Sequence, residues 1–156
     1  MVATAAAMAS VERFWARHVT RGEIGVRRSD ASATPDFETR LPDVFDSLLR
    51  VGEVQRIDAP DFHVAEVGDW LEHAWERHVV MRGLAEAAGN PRLADMVPFG
   101  DTEHGFEVAL EISTGRVVWL DPERFDTGDD AIVSVVGESV EAWLGAMERG
   151  ETGTIL

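Results

Sequence analysis

The chain has 156 residues, about the length of one domain, and its 45% hydrophobic residues and five tryptophans predict a single folded domain over residues 1–156. Cysteine is absent, which excludes disulfides and thiolate metal sites and is typical of a reducing compartment. All 14 basic residues are arginines, against 29 acidic residues, and the net charge of −15 disfavours direct binding to nucleic acid or to anionic membranes.

The first predicted helix runs from Thr4 to Arg21, and Gly22 is its predicted stop. Its apolar residues recur at three- and four-residue intervals on one face: Ala7, Met8, Val11, Phe14, Trp15 and Val19. His18 lies on that face, and we interpret it as a packed, hydrogen-bonded core residue and not as a ligand. The first ten residues have no basic flank and only a short apolar run. Neither a secretory signal nor a membrane span is therefore predicted, and a cytoplasmic location is expected.

Residues 23–40 show little periodicity and predict a surface connection. A short helix follows, with Pro42 at its first position, where the missing N–H costs nothing. Its apolar stripe is Leu41, Val44, Phe45, Leu48 and Leu49, and Gly52 closes it. Two short strands, 53–57 and 62–67, are then predicted on either side of a turn that contains Pro60.

A second long helix is predicted to begin after Asp69, an N-cap with Glu72 in the capping-box position. The run Val79-Val80-Met81 breaks its apolar stripe, so we expect the helix to be interrupted or kinked near Gly83. The sequence Gly89-Asn90-Pro91 ends it. The other tryptophans of helices and strands belong to apolar stripes, but the phase of Trp70 leaves it exposed.

The clearest β pattern lies between Met96 and Asp121. Side chains alternate with a period of two, so that one set faces a core and the other faces outward: Phe106, Val108, Leu110 and Ile112 against Glu107, Ala109 and Glu111. Residues 113–115 form a reversal that ends in glycine, and residues 116–120 resume a β-branched and aromatic run. An antiparallel hairpin is predicted, with residues 96–99 as a third strand and helices covering the apolar face.

Residues 122–130 read as an acidic loop, and residues 132–136 as an apolar run of ambiguous type. Gly137 or Ser139 caps a final helix that ends at Gly150, and the tail from Glu151 is expected to fray. The core face of this helix is Val140, Trp143, Leu144 and Met147.

No established catalytic motif is present. His73 and His78 are five residues apart and so lie about 140° apart on a helix, too far around to share an ion. Asp101, Glu103 and His104 stand together in one turn, but acidic turns need no function, and no nucleophile motif or phosphate loop accompanies them. We predict no catalytic residue, no metal and no cofactor.

Three segments resemble the SUKH superfamily, a large group of bacterial immunity proteins related to a yeast regulator of cell-wall synthesis. They are the helix LPDVFDSLLRVG, the block LADMVPFGDTEHGFEVALEISTGRVVWLD and the terminal helix ESVEAWLGAM. The short motifs that match lie within residues 41–149 and are Leu41-Pro42, Pro98-Phe99-Gly100-Asp101, Gly105, Leu110-Glu111, Thr114-Gly115-Arg116-Val117, Trp119-Leu120-Asp121 and 139–144. The resemblance implies an α+β domain with a curved, mainly antiparallel sheet and helices packed on one side.

The resemblance also implies a protein that binds and neutralises a cognate toxin, often a nuclease or a nucleotide-modifying enzyme of a polymorphic toxin system. Our leading hypothesis is therefore a cytoplasmic, non-catalytic immunity-type protein whose acidic surface meets a basic toxin domain, with no nucleic-acid or membrane partner. The candidate partner-binding residues are Asp101, Glu103, Asp121, Glu123, Asp126, Asp129 and Asp130. The alternatives are a small metal-dependent hydrolase using Glu103 and His104, a general protein-interaction scaffold, and an acidity that serves only solubility or reflects host composition.

Overall fold

The computed structural model describes residues 4–21, 37, 40–127 and 130–151. These residues form helices α1 (Ala5–His18), α2 (Asp43–Leu49), α3 (Trp70–Ala88) and α4 (Val140–Glu148), with two short 3₁₀ segments at Pro91–Asp95 and Pro122–Arg124. The strands are β1 (Val19–Arg21), β2 (Glu53–Ala59), β3 (Phe62–Asp69), β4 (Met96–Asp101), β5 (Glu107–Glu111), β6 (Arg116–Leu120) and β7 (Ile132–Gly137).

All seven strands belong to one curled sheet, in which each strand pairs antiparallel with the next along the chain. The predicted hairpin is β5 and β6, which pair from Glu107 opposite Leu120 to Glu111 opposite Arg116. β4 is the predicted third strand, and β2 and β3 are the predicted pair around the Pro60 turn. The ambiguous apolar run is a strand, β7, that adds to β6. The α+β class with a curved antiparallel sheet is confirmed.

The main core lies between one face of this sheet and helices α1, α2 and α4, with the first turns of α3. The predicted inward set of the hairpin belongs to it, since Val108 and Leu110 are fully buried and Phe106 and Ile112 pack at its edge. Its centre is a group of aromatic rings with centroids 5.0 to 6.4 Å apart: Phe14, Phe62, Trp70, Phe99 and Trp143.

The opposite face of the hairpin is covered as well. Ala109 and Glu111, which alternation placed outward, are buried, and a second apolar cluster surrounds Ala109. The cover consists of side chains from the second half of α3, the first 3₁₀ segment and the β6–β7 loop: Met81, Ala85, Leu93 and Phe125. Residues far along the chain bury the outer face, so the period of two cannot report that burial.

The first helix is shorter than predicted. α1 ends at His18, and Val19, Thr20 and Arg21 form the edge strand β1, which pairs with β2 at Ile57, Arg56 and Val54. β-Branched residues favour an extended backbone once a partner strand is available. His18 is half-buried, and its Nδ1 atom lies 3.0 Å from the Asp58 carbonyl oxygen, so the predicted hydrogen bond exists at the rim of the core.

The long helix α3 is continuous from Trp70 to Ala88, so the predicted interruption near Gly83 is wrong. Its predicted ends are confirmed, because the Asp69 carboxylate accepts a hydrogen bond from the Glu72 N–H at 3.2 Å and Gly89 adopts a left-handed conformation with φ of 65°. The broken apolar stripe has another origin: α3 contributes to both clusters, so its buried face changes along its length.

Trp70 is buried, contrary to the expectation of an exposed residue. It is the first residue of α3, where the chain turns in from β3, and its indole Nε1–H donates to the Phe99 carbonyl oxygen at 2.9 Å. Helical phase locates a side chain relative to its own helix only, and here the adjoining strand brings the helix start into the core.

The remaining boundaries differ little from the predictions. α2 begins at Asp43, so Pro42 stands at its N-cap position, and its whole predicted stripe is buried. Ser139 caps α4 through a 3.1 Å hydrogen bond from the Ala142 N–H. Of the predicted surface connection at residues 23–40, only Phe37, which is buried, and Arg40 are described. The predicted fraying of the tail lies outside the described residues beyond Glu151.

Gly100 lies where β4 passes closest to the aromatic core. A Cβ atom there would overlap the buried Phe62 ring, whose Cδ2 atom is 2.9 Å from the Cβ position. We expect Gly100→Ala to lower the free energy of unfolding, measured by urea denaturation, by about 1–3 kcal/mol, because the packed ring has no space to move into.

Gly83 supplies the matched control. It is exposed on α3, and no atom lies within 4 Å of its Cβ position. Gly83→Ala should raise the free energy of unfolding by roughly 1 kcal/mol, because alanine is the better helix former. Equal effects of the two substitutions would contradict the described packing.

Candidate functional site

The strand order gathers three connections at one end of the sheet. His63 pairs with Asp101, Asp101 with Glu107, and Glu107 with Leu120, so β3, β4, β5 and β6 are in register there. Because successive strands are antiparallel, the β2–β3 turn, the β4–β5 loop and the start of the β6–β7 loop all lie at this end. We call residues 60–61, 101–106 and 121–127 the acidic end of the sheet.

The acidic end contains most of the predicted partner-binding residues. Asp101 is the last residue of β4, Glu103 lies in the β4–β5 loop, and Asp121, Glu123 and Asp126 lie in the β6–β7 loop. Asp129 lies outside the described residues. Asp130 lies at the other end of the β6–β7 loop, next to Ala131, whose carbonyl oxygen accepts from the Asp121 N–H at 2.9 Å, and its carboxylate pairs with Arg92 Nη1 at 2.8 Å.

The carboxylates at the acidic end differ in their availability. Glu103, Glu123 and Asp126 are exposed. Asp121 caps the second 3₁₀ segment by accepting from the Glu123 N–H at 3.0 Å, and its other oxygen lies 3.6 Å from Arg124 Nε. Asp101 is half-buried, with an oxygen 3.7 Å from Arg77 Nη2. Three of the predicted residues, Glu103, Glu123 and Asp126, are therefore exposed to solvent.

The β4–β5 loop holds the residues of the alternative catalytic reading. Thr102 is buried, and its hydroxyl oxygen accepts from the N–H groups of His104 and Phe106 at 3.2 and 3.1 Å, which folds the loop into a tight turn. His104 Nδ1 lies 3.7 Å from an Asp61 oxygen, and Glu103 points into solvent. In the described ranges, no three histidine, aspartate or glutamate side chains converge as a metal site.

The two histidines of α3 lie in different environments. His78 is buried, with Nδ1 2.8 Å from the Met96 carbonyl oxygen and its ring 5.6 Å from that of Phe37. His73 is half-buried and faces a groove on the other flank of the helix. Burial, together with the neighbouring Arg77 charge, lowers the pKa of His73 despite the opposing effects of Glu76 and Asp101. The lowered pKa favours the neutral form of the His73 ring.

Sequence reasoning missed this groove, which lies between α3, β4, β5 and the β6–β7 loop and has a volume of about 360 Å³. Its apolar wall consists of Val80, Met81, Leu84, Pro98 and Phe125. Its polar rim consists of His73, Glu76, Arg77 and Glu107. The sequence signal that could have indicated the groove was the apolar run Val79-Val80-Met81. In the structure, Val79 and Val80 are exposed, at 42% and 60%, although both side chains are hydrophobic.

Sequence reasoning also missed a buried carboxylate in the hairpin. Glu111 is 2% exposed and accepts hydrogen bonds from Thr114 Oγ1 at 2.6 Å, Arg116 Nη2 at 2.8 Å and Arg92 Nη2 at 3.2 Å. Burial acts to raise the pKa of Glu111, but the hydrogen bonds from Thr114, Arg116 and Arg92 outweigh it and hold the pKa below its usual value. Arg92 pairs with Asp130 as well as with Glu111, so Arg92 links the hairpin to the β6–β7 loop.

The site is thus an acidic loop end with a part-apolar groove beside it. Within the described residues, none of the helices combines the length and the apolar character that a membrane span requires. Comparison with known proteins finds no family model, no curated protein and no solved structure that matches this chain.

Proposed function

We propose that this protein is a non-catalytic binding protein that works in the cytoplasm and covers a basic protein domain, in the manner of an immunity protein that neutralises its cognate toxin. The observation that carries the proposal is the acidic end of the sheet. There, the β4–β5 and β6–β7 connections bring exposed carboxylates to one end of the antiparallel sheet, in a chain whose net charge is −15.

Electrostatics explains how such a surface recognises its partner. The exposed carboxylates Glu103, Glu123 and Asp126 face solvent and repel a nucleic-acid backbone while attracting arginine and lysine side chains. A toxin domain that binds nucleic acid or nucleotides needs such basic side chains in its own active site. The acidic end would therefore associate rapidly with that active site and block it sterically.

The arrangement around His104 gives less support to the metal-dependent hydrolase. His104 and Glu103 are both exposed, and the nearest carboxylate to the His104 ring, that of Asp61, is beyond hydrogen-bond distance. A general acid or base needs a partner that positions it and a site that excludes water. A binding surface needs neither.

The test measures association with the purified product of the neighbouring reading frame by stopped-flow fluorescence. We expect a stoichiometric complex whose association rate falls as salt rises. Replacing Glu103→Gln, Glu123→Gln and Asp126→Asn together should lower the association rate about tenfold at low ionic strength, because these residues supply the steering field.

A variant with the same change in net charge controls for a nonspecific effect. Glu12, Glu53 and Glu138 are exposed but lie away from the acidic end, on α1, at the start of β2 and after β7. Replacing all three with glutamine should change the association rate by about twofold or less. Equal slowing by both triple variants, or association that is insensitive to salt, would contradict the proposal.

A further inference from the structure

The groove on α3 opens beside the acidic end of the sheet, and Phe125 belongs to both surfaces. Glu107 lines the groove and stands opposite Asp101 in the β4–β5 pair, while Phe125 comes from the same β6–β7 loop as Glu123 and Asp126. A polypeptide that contacts the acidic end therefore meets the groove without crossing any other surface.

The groove has the size and the lining of a binding pocket. Its volume of about 360 Å³ lies at the small end of the range of roughly 300–1,000 Å³ that ligand sites occupy. Val80 is 60% exposed, whereas Met81 and Phe125 below it belong to the second apolar cluster. An apolar side chain that enters the groove would cover Val80 and extend that cluster.

The charges on the rim of the groove determine which residues can flank an apolar side chain bound there. Arg77 forms an ion pair with Glu107, and a second carboxylate, that of Asp101, lies 3.7 Å away. Glu76 on the rim is exposed, and the lowered pKa of His73 favours its neutral form. On the rim one guanidinium thus stands against two carboxylates, with Asp101 beside the guanidinium, so the rim is negative and complements an apolar side chain flanked by basic residues.

We infer that this groove binds an aromatic or large aliphatic side chain of the basic partner, with an adjacent arginine or lysine placed against Glu76 and Glu107. The inference rests on the proposed function and adds to it the anchor that gives the complex its lifetime. Electrostatic steering governs association, whereas a buried anchor residue at the centre of an interface governs dissociation. A second copy of the chain is a poor occupant, because two molecules that each carry −15 repel one another.

Three capped tripeptides test the groove on the isotope-labelled full chain by NMR titration. Ac-Arg-Trp-Arg-NH₂ carries both features, Ac-Arg-Ala-Arg-NH₂ lacks the anchor, and Ac-Glu-Trp-Glu-NH₂ reverses the charge. We expect only the first to give saturable shifts at Val80, Leu84 and Phe125, and to bind roughly tenfold more tightly than the other two. Equal binding of either control peptide, or shifts confined to other residues, would overturn the inference.

Adjacent valines give a matched pair of variants. Val80 lines this groove, whereas Val79 lines a separate, more open depression on α3. Both are exposed on a helix, and arginine is a better helix former than valine, so both arginine variants should fold. Val80→Arg should weaken Ac-Arg-Trp-Arg-NH₂ binding at least about tenfold, and Val79→Arg by less than about twofold. Equal weakening by both would overturn the inference.

The two hypotheses fail in different ways. If the acidic-end triple variant associates with the partner at an unchanged rate, the proposed function fails whatever the tripeptides do. If the triple variant associates slowly but the tripeptides do not bind in the groove, the proposed function stands and the anchor site is wrong.

Discussion

Replacing Trp70 with alanine is expected to lower the free energy of unfolding by about 3–5 kcal/mol, the largest loss from a single substitution that we predict. Trp70 is fully buried and contacts the rings of Phe14, Phe62 and Phe99. The substitution leaves a large cavity and also leaves the Phe99 carbonyl oxygen without its 2.9 Å hydrogen bond. Because folded domains are stable by only about 5–15 kcal/mol, urea denaturation should show a markedly lower midpoint.

Two further variants separate the effect of the cavity from the effect of the lost hydrogen bond. Trp70→Phe keeps an aromatic ring and removes the Nε1–H donor, so we expect a smaller loss of about 1–3 kcal/mol. Trp75 lies one and a half turns further along α3 and is only half-buried. Trp75→Ala should therefore cost less than Trp70→Ala. A larger loss at Trp75 would contradict the position of Trp70 in the core.

Replacing Glu111 with glutamine should lower the free energy of unfolding near neutral pH by about 2–4 kcal/mol. The carboxylate is buried and accepts hydrogen bonds from two guanidinium groups and a hydroxyl. The amide has one acceptor oxygen and no charge, so at least one arginine donor is left without its ionised partner. Both arginines are part-exposed and can turn to water, which limits the loss.

The effect of this substitution should depend on pH. The folded-state pKa of Glu111 is below its unfolded value, so its ionisation stabilises the fold above the unfolded pKa, and that contribution is lost as pH falls through the folded pKa. Paired urea denaturation curves should show a large difference between the parent protein and Glu111→Gln at about pH 7 and a smaller one at about pH 3. If the difference in unfolding free energy between the two proteins grew on acidification, that result would contradict the described hydrogen bonds to the Glu111 carboxylate.

An exposed ion pair provides the control. Arg149 and Glu151 form a 2.9 Å salt bridge, and the arginine lowers the pKa of Glu151 as the network does for Glu111. Both side chains are largely exposed, so solvent screens their attraction. Glu151→Gln should leave the urea midpoint unchanged at both pH values. An equal loss there would mean that burial is not the reason for the Glu111 effect.

The hydrogen bonds around Glu111 and the groove on α3 were beyond sequence reasoning for the same reason. Glu111 occupies an alternating strand position that pattern places outward, where Arg92 of the first 3₁₀ segment donates to its carboxylate. Val80 broke an apolar stripe and suggested a distorted helix, whereas in the folded protein it is an exposed wall of a groove. Arg92 lies 19 residues from Glu111 in the sequence, and the groove walls opposite Val80 come from Pro98, Glu107 and Phe125 on other elements.

The sequence by itself determined the features that depend on a few adjacent residues. The β5–β6 hairpin follows from alternation and a glycine reversal, and the caps at Asp69 and Ser139 follow from side chains that reach an N–H three residues ahead. The acidic residues of the loops were also identified, because connections between adjacent antiparallel strands lie at the ends of the sheet.

Only the tertiary structure decided which surfaces those elements bury and share. Val19, Thr20 and Arg21 pair with β2 as an edge strand instead of continuing the helix. Trp70 is buried in the core, and the Asp130 carboxylate pairs with Arg92. Local patterns express a backbone preference of about 1 kcal/mol per residue or less, which a partner strand or a packed aromatic ring readily exceeds. Burial and pairing between distant segments therefore determine the final arrangement.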